Sequence, residues 1–260
     1  MTHHRLFMNR VAGAVLILAA CTVQTAAQSV LEHAAEVRFQ LDLKVPEAAL
    51  APLLPAGWSY NIAAQGPAKD ANLRAVFIDR VTVNGPEGKP VGQGSSRLVY
   101  LVVPVKDAAG AGSQLVIGGI TADPADAPGP FGMYLPASTH SMQRSVSGTL
   151  GAMVESQDWV FAASTGERLE LHVTFEKVVP NRAAFADTKF YSAKNPAVVQ
   201  IHRQEQLVDI LRNATTKPVD RVKKTSFTAG GGSFATIFDG TETILSWDNF
   251  IWVDRTVLVP

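Results

Sequence analysis

The chain has 260 residues, with 23 Lys and Arg against 23 Asp and Glu. That balance argues against a nucleic-acid binder, which needs a basic face to offset phosphate charge, and against a polybasic membrane-surface binder. A hydrophobic fraction of 47% with 18% charged residues supplies ample material for a packed core.

His3, His4, Arg5 and Arg10 form a basic head with no acidic residue, and Val11 to Ala20 is a continuous small and apolar run. A run of about ten residues is too short to span a bilayer but fits the apolar region of a secretory signal. Leu18-Ala19-Ala20-Cys21 resembles the bacterial lipobox, in which the cysteine is lipidated and becomes the new N-terminus. Cys21 is the sole cysteine, so no intramolecular disulfide can form. An ordinary secretory signal cut after Ala27 is the other reading. Either cut implies export to the periplasm or the outer membrane. Thr22, not an aspartate, follows Cys21, which favours the outer membrane. Removing residues 1–20 takes Arg5 and Arg10 away and leaves 21 basic against 23 acidic residues. The expected organisation is a signal over 1–20, a lipidated or flexible tether over 21–36, and one domain over 37–260.

Val37, Phe39, Leu41 and Leu43 alternate with Arg38, Gln40, Asp42 and Lys44, the period of a half-buried strand. Val45-Pro46-Glu47 opens a short helix, which Leu54-Pro55-Ala56-Gly57 ends. Strands are expected at Leu73 to Val83, Arg97 to Val105, Gln114 to Ile120, Asp158 to Ala162 and Arg168 to Glu176. Further strands are expected at Ala197 to Ile201, Val222 to Phe227, Phe234 to Phe238 and Ile244 to Val253. Leu98 to Val103 is apolar on both faces and should be covered on both. Gln204 to Leu211 has helical spacing through Leu207, Ile210 and Leu211. Many strands, few helices and no βαβ alternation indicate a mainly β protein. The expected architecture is a curved, closed or near-closed β-barrel with a few peripheral helices.

Several segments, in order, resemble the acetoacetate decarboxylase-like superfamily. Val45 to Gly57 looks like its early helix and Leu-Pro-x-Gly exit, and Arg97 to Lys106, with Val103-Pro104-Val105, like the strand that carries its buried glutamate. Phe131-Gly132-Met133-Tyr134-Leu135-Pro136 resembles the turn before its catalytic lysine pair, and Val257-Leu258-Val259-Pro260 fits its terminal strand. The resemblance implies a double-cone barrel around an apolar pocket. It also implies a lysine amine that forms a Schiff base with a keto acid, after burial and a neighbouring cation lower its pKa. Here Ala137 and Ser138 stand where the lysine pair is expected. No Glu occurs between Glu87 and Glu155 to match the buried glutamate. The family reaction by the family mechanism is therefore not expected. A displaced lysine would restore a decarboxylase or another lyase on small keto acids, and Lys223-Lys224 is one adjacent pair. Surface lysines in an edge strand are the plainer reading of it.

The other constellations are weak. His33, His140, His172 and His202 are widely separated without a ligand motif, so no metal is expected, and no cofactor is implied. Ser138-Thr139-His140-Ser141 lacks a nucleophile elbow. Pro128 to Arg144 is richer. Met133, Tyr134, His140 and Arg144 lie in it as pocket candidates, an apolar wall with one cation suited to a carboxylate-bearing ligand. The alternative is that its aromatics close the barrel and Arg144 is solvated. The leading expectation is non-catalytic binding of a small, partly apolar molecule by an exported protein, anchored to the membrane through Cys21 where lipidated.

Overall fold

The computed structural model describes residues 28–214 and 219–260. The signal segment, Cys21 and the alternative cut after Ala27 lie outside the described residues.

Thirteen strands carry the fold among those residues. In chain order they are β1 (Ser29–Lys44), β2 (Ser59–Tyr60), β3 (Leu73–Asn84), β4 (Ser96–Lys106), β5 (Gly112–Thr121), β6 (Tyr134–Thr149) and β7 (Ala152–Ala163). After them come β8 (Arg168–Glu176), β9 (Asn181–Ser192), β10 (Val199–Asn213), β11 (Val219–Asp220), β12 (Val222–Gly230) and β13 (Thr243–Val259). Seven of these close a ring in the order β5-β9-β10-β13-β1-β3-β4, with β4 returning to β5. Every pair in the ring is antiparallel except β5 with β9. The ring has no free edge, which removes the exposed backbone donors and acceptors of an open sheet. β5 divides its other edge. Gln114 to Val116 pair with β9, and Gly119 to Thr121 pair with β6. From β6 a second sheet continues through β7, β8 and β12.

Strand alternation assigns each ring strand two faces. Phe39, Leu41 and Leu43 of β1, Phe77 of β3 and Leu101 of β4 pack with Trp159, Phe161, Leu171 and Phe175 of the second sheet as the main core. The Phe77 ring lies 5.9 Å from Trp159 and the Phe39 ring 6.1 Å from Phe175. The opposite face of the same strands points into the ring. There Val76, Ile78, Leu98, Tyr100, Val102, Val116 and Phe190 form a smaller cluster with Phe131 and Tyr134. Leu98 to Val103 is thus covered on both sides, as its sequence implies.

The short helix α1 (Glu47–Leu50) sits where Pro46 starts it and runs into a 3-10 turn at Ala51–Leu53. Three expectations are corrected, and one strand goes unannounced. Gln204 to Leu211 is not helical but the middle of β10. Gln204, Gln206, Val208 and Ile210 face into the ring at the period of a strand, and one bulged residue, Leu211, joins the core and imitates a longer period. Phe234 to Phe238 is not a strand. Gly232–Thr236 is a 3-10 turn, held where Glu167 accepts from Ser233 N and Oγ, each at 2.9 Å. Residues 29–36 are not a tether but the first half of β1, paired with both β13 and β3. Finally β9, whose Asn181 to Lys189 stretch is largely exposed, has no strong alternation to announce it.

Candidate functional site

Inside the ring the alternation sets charged side chains beside the smaller apolar cluster. β1 contributes Glu32, Glu36, Arg38, Gln40 and Asp42; β3 contributes Arg74 and Arg80; β13 contributes Arg255 and Asp248. Two cavities result, of about 380 and about 350 Å³. Arg38, Tyr100 and Phe190 line both and form the waist between them.

One ion-pair chain runs along the wall of the larger cavity. Arg38 donates to Glu36 at 2.6 Å and to Gln204 at 2.9 Å. Arg255 donates to Glu36 and to Glu32, each at 2.8 Å, and Arg80 to Glu32 at 2.6 Å. Burial pushes the Glu36 carboxyl up, but Arg255, Arg38 and Arg80 outweigh it and bring it from 4.5 down to about 2. Burial raises Asp126, which also lines this cavity. Burial, reinforced by the Arg255, Arg38 and Arg80 charges, holds His202 well below the usual imidazole range, so it is neutral at physiological pH. Its Nε2 lies 3.3 Å from Gln200 Oε1, and its ring stacks on Phe190 with centroids 4.0 Å apart.

Not every polar group here is satisfied. Tyr100 and Tyr134 are each 7% exposed, both line the larger cavity, and neither hydroxyl has a hydrogen-bond partner among the described residues. Arg80 Nε, Thr121 Oγ1 and His202 Nδ1, on side chains that line the same cavity, also lack one. Buried polar groups without partners are uncommon in folded proteins and cost stability, so their gathering on one wall calls for an explanation. Ile78, Leu98 and Phe131 supply the apolar part of the wall.

Backbone geometry sets Tyr134. Its N–H donates to Pro128 O at 2.8 Å, and its ring meets Phe131 edge-on at 6.3 Å. Gly129, at φ +72, and Gly119 leave room for that ring. A Cβ on Gly129 would lie 2.3 Å from it and one on Gly119 2.8 Å.

Of the sequence candidates, Tyr134 is the one that lines this cavity. Met133 is half-buried beside it but not on the wall. His140 is exposed on β6, in a shallow surface groove with Asp79, Arg97 and Asp123. Arg144 is neither in the ring nor simply solvated. It grips the fully buried Glu155 bidentately, at 2.6 and 3.1 Å, and Lys177 pairs with the same carboxylate. Ala137 packs against the core and Ser138 donates to Ala162 O at 3.1 Å. Lys223 pairs with Glu176 at 2.7 Å on the surface. Among the described residues no lysine lines either cavity.

Sequence reasoning missed Glu36, Arg38, Arg80, Tyr100, His202 and Arg255. On β1 the polar positions alternate with apolar ones and read as a solvent face. A strand whose polar side faces the inside of a closed ring has the same pattern. The signal present was the mixture of signs along Glu36, Arg38 and Asp42, at positions that face one way.

No family model matches the sequence, and no curated protein matches it. Solved structures do. The enduracididine biosynthesis enzyme MppR, with HEPES buffer bound, matches at 13% identity and TM-score 0.53, over 99% of this chain and 97% of that one. An acetoacetate decarboxylase-like enzyme from Sphingomonas wittichii RW1 matches at 11% identity and TM-score 0.49, over 87% of this chain and 91% of the other. The near-closed ring is therefore the barrel fold that MppR also has, and at this identity the likeness is one of fold.

Proposed function

We propose that this chain is an exported, lipid-anchored binding protein for a small, partly apolar molecule carrying a carboxylate or keto oxygen, held in the larger cavity of the ring. The observation that carries the reading is the set of unpartnered polar groups on one wall: the Tyr100 and Tyr134 hydroxyls with Arg80, Thr121 and His202. Phenolic O–H and guanidinium N–H groups donate, so the complementary ligand atom is an oxygen with lone pairs. Ile78, Leu98 and Phe131 suit an apolar body, and about 380 Å³ falls within the size of small-molecule sites. Export rests on the basic head, the apolar run and the lipobox-like Leu18 to Cys21. A Schiff-base lyase with a displaced lysine, the other reading from sequence, finds no support in the wall chemistry, because neither cavity is lined by a lysine among the described residues. MppR is named an enzyme, but at 13% identity the shared fold carries no activity across.

Thermal-shift measurements with phenylpyruvate, hexanoate, hexan-2-one and hexan-1-ol test the proposal. The two acids should raise the midpoint most and the alcohol least. Equal shifts across the four, or none, would contradict it.

A further inference from the structure

The second cavity has chemistry of its own. Asp42 and Asp248 both line it, Asp248 directly opposite Gln40 across β1 and β13 and Asp42 its diagonal neighbour. Arg74 of β3 pairs with Asp42 at 2.9 Å. Asp248 has no cation to itself among the described residues; its side-chain partner is Ser246 Oγ, at 3.3 Å. Arg38, at the waist, is already engaged by Glu36. With both aspartates ionised, two carboxylates face one available guanidinium.

Two further groups want partners. Gln206 is 6% exposed, lines this cavity and makes no side-chain hydrogen bond among the described residues. Gln114 Oε1 is buried there without a donor. Val76, Val102 and Phe250 make the adjoining wall apolar, and the half-exposed Phe185 also lines the cavity. A carboxyl with no cation of its own, amide oxygens lacking donors and an apolar wall are complementary to one kind of group. It is a cation with several N–H donors on a hydrocarbon stem.

We propose that this cavity binds a primary alkylammonium, its three N–H donors shared among Asp248, Gln114 Oε1 and the Gln206 amide oxygen, its alkyl chain against Val76, Val102 and Phe250. An ammonium has three donors and no acceptor, which matches acceptors left unfilled. The titration of Asp248 agrees with this placement. Burial first, then the Asp42 charge and more weakly Asp209, push its carboxyl up to about 8, against Arg74 and Ser246. Asp209 is itself held by Arg221 at 3.0 Å. β4, β5 and β9 present no charged side chain to this cavity. At neutral pH Asp248 therefore holds a proton, and an arriving ammonium takes over that proton's place, so binding releases a proton to the buffer.

The test is isothermal titration of the mature chain with n-hexylammonium, hexan-1-ol and hexanoate near neutral pH, repeated in two buffers of different ionisation enthalpy. Hexylammonium should bind about tenfold or more tighter than hexanol, since a hydrogen bond to a charged group is the stronger kind. The observed heat should change with the buffer, reporting the released proton. Asp248→Asn should lose about tenfold or more of that affinity, while Lys223→Ala, on the surface of β12, should leave it unchanged. Hexanol binding as tightly as hexylammonium, no hexylammonium binding at millimolar concentration, or full affinity in Asp248→Asn would each overturn the proposal. Should Asp248→Asn fail to fold, Gln206→Leu decides: a several-fold loss is expected, and unchanged affinity overturns it. Carboxylate binding in the larger cavity is read from phenylpyruvate and Arg80→Gln, and ammonium binding here from hexylammonium and Asp248→Asn, so either site can fail without the other.

Discussion

Glu36 is the carboxylate on which three arginines of the ring converge, and replacing it with glutamine should be costly. It is 1% exposed, with Arg38 at 2.5 Å, Arg255 at 2.7 Å and Arg80 at 4.0 Å. Its carboxyl falls from 4.5 to about 2 in the folded protein, because Arg255, Arg38 and Arg80 together exceed the opposing effect of burial. Each pKa unit corresponds to about 1.4 kcal/mol, so ionised Glu36 contributes about 3 kcal/mol. Removing one partner of a buried ion pair costs about 3–5 kcal/mol by analogy with measured cases, which agrees. At about 2–4 °C per kcal/mol for a domain of this size, Glu36→Gln should melt about 6–12 °C below wild type at neutral pH. The folded pKa is the lower one, so the unfolded chain binds the extra proton between the two values. This contribution is therefore complete above pH 4.5 and is lost as pH falls towards 2. Circular dichroism melts at neutral pH and in acid should show the gap between the proteins narrowing in acid. A variant that melts with wild type at neutral pH, or a gap independent of pH, would refute the reasoning.

Asp248 should act with the opposite sign. Burial and the Asp42 charge raise its carboxyl from 3.8 to about 8, so its contribution is present below 3.8 and fades as pH rises through 8. Asp248→Asn should accordingly raise the urea midpoint near pH 8 relative to wild type, with little difference in acid. Gly119→Ala would place a Cβ 2.7 Å from Val99 O and 2.8 Å from the Tyr134 ring. Overpacking of this kind costs about 1–3 kcal/mol, and the near-ultraviolet dichroism should change as the tyrosine moves. Borohydride reduction with β-keto acids, read by intact mass, should leave the chain unmodified, whereas an adduct on one lysine would restore the Schiff-base chemistry.

Much of the fold is legible in the sequence because it is written in local period. Phe39, Leu41 and Leu43, or Leu169, Leu171, Val173 and Phe175, declare a strand with one apolar face, and those faces are the ones that meet in the main core. What local period does not contain is closure. Whether Glu36, Arg38 and Asp42 face water or one another depends on β13 and β10 completing the ring from more than 150 residues away. A bulge hides the rest, since Leu211, skipped between Ile210 and Arg212 in the pairing with β13, makes Leu207, Ile210 and Leu211 look helical. The segment around Tyr134 was readable as a pocket wall from its aromatics and glycines. His140 and Arg144 follow it in sequence, but β6 carries both into the second sheet, away from the ring.

Isothermal titration of phenylpyruvate against wild type and Arg80→Gln bears most directly on the larger cavity as a ligand site. On that wall the Glu36 carboxylate lies 4.0 Å from Arg80 Nε, so this N–H lacks a hydrogen-bond acceptor among the described residues. A hydrogen bond from a charged group is worth about 1.5–3 kcal/mol. Saturable one-to-one binding by wild type, weakened about tenfold or more in Arg80→Gln, is the expected result. Equal affinity in the two proteins, or no binding by either, would contradict the placement of a carboxylate or keto oxygen beside Tyr100, Tyr134 and Arg80.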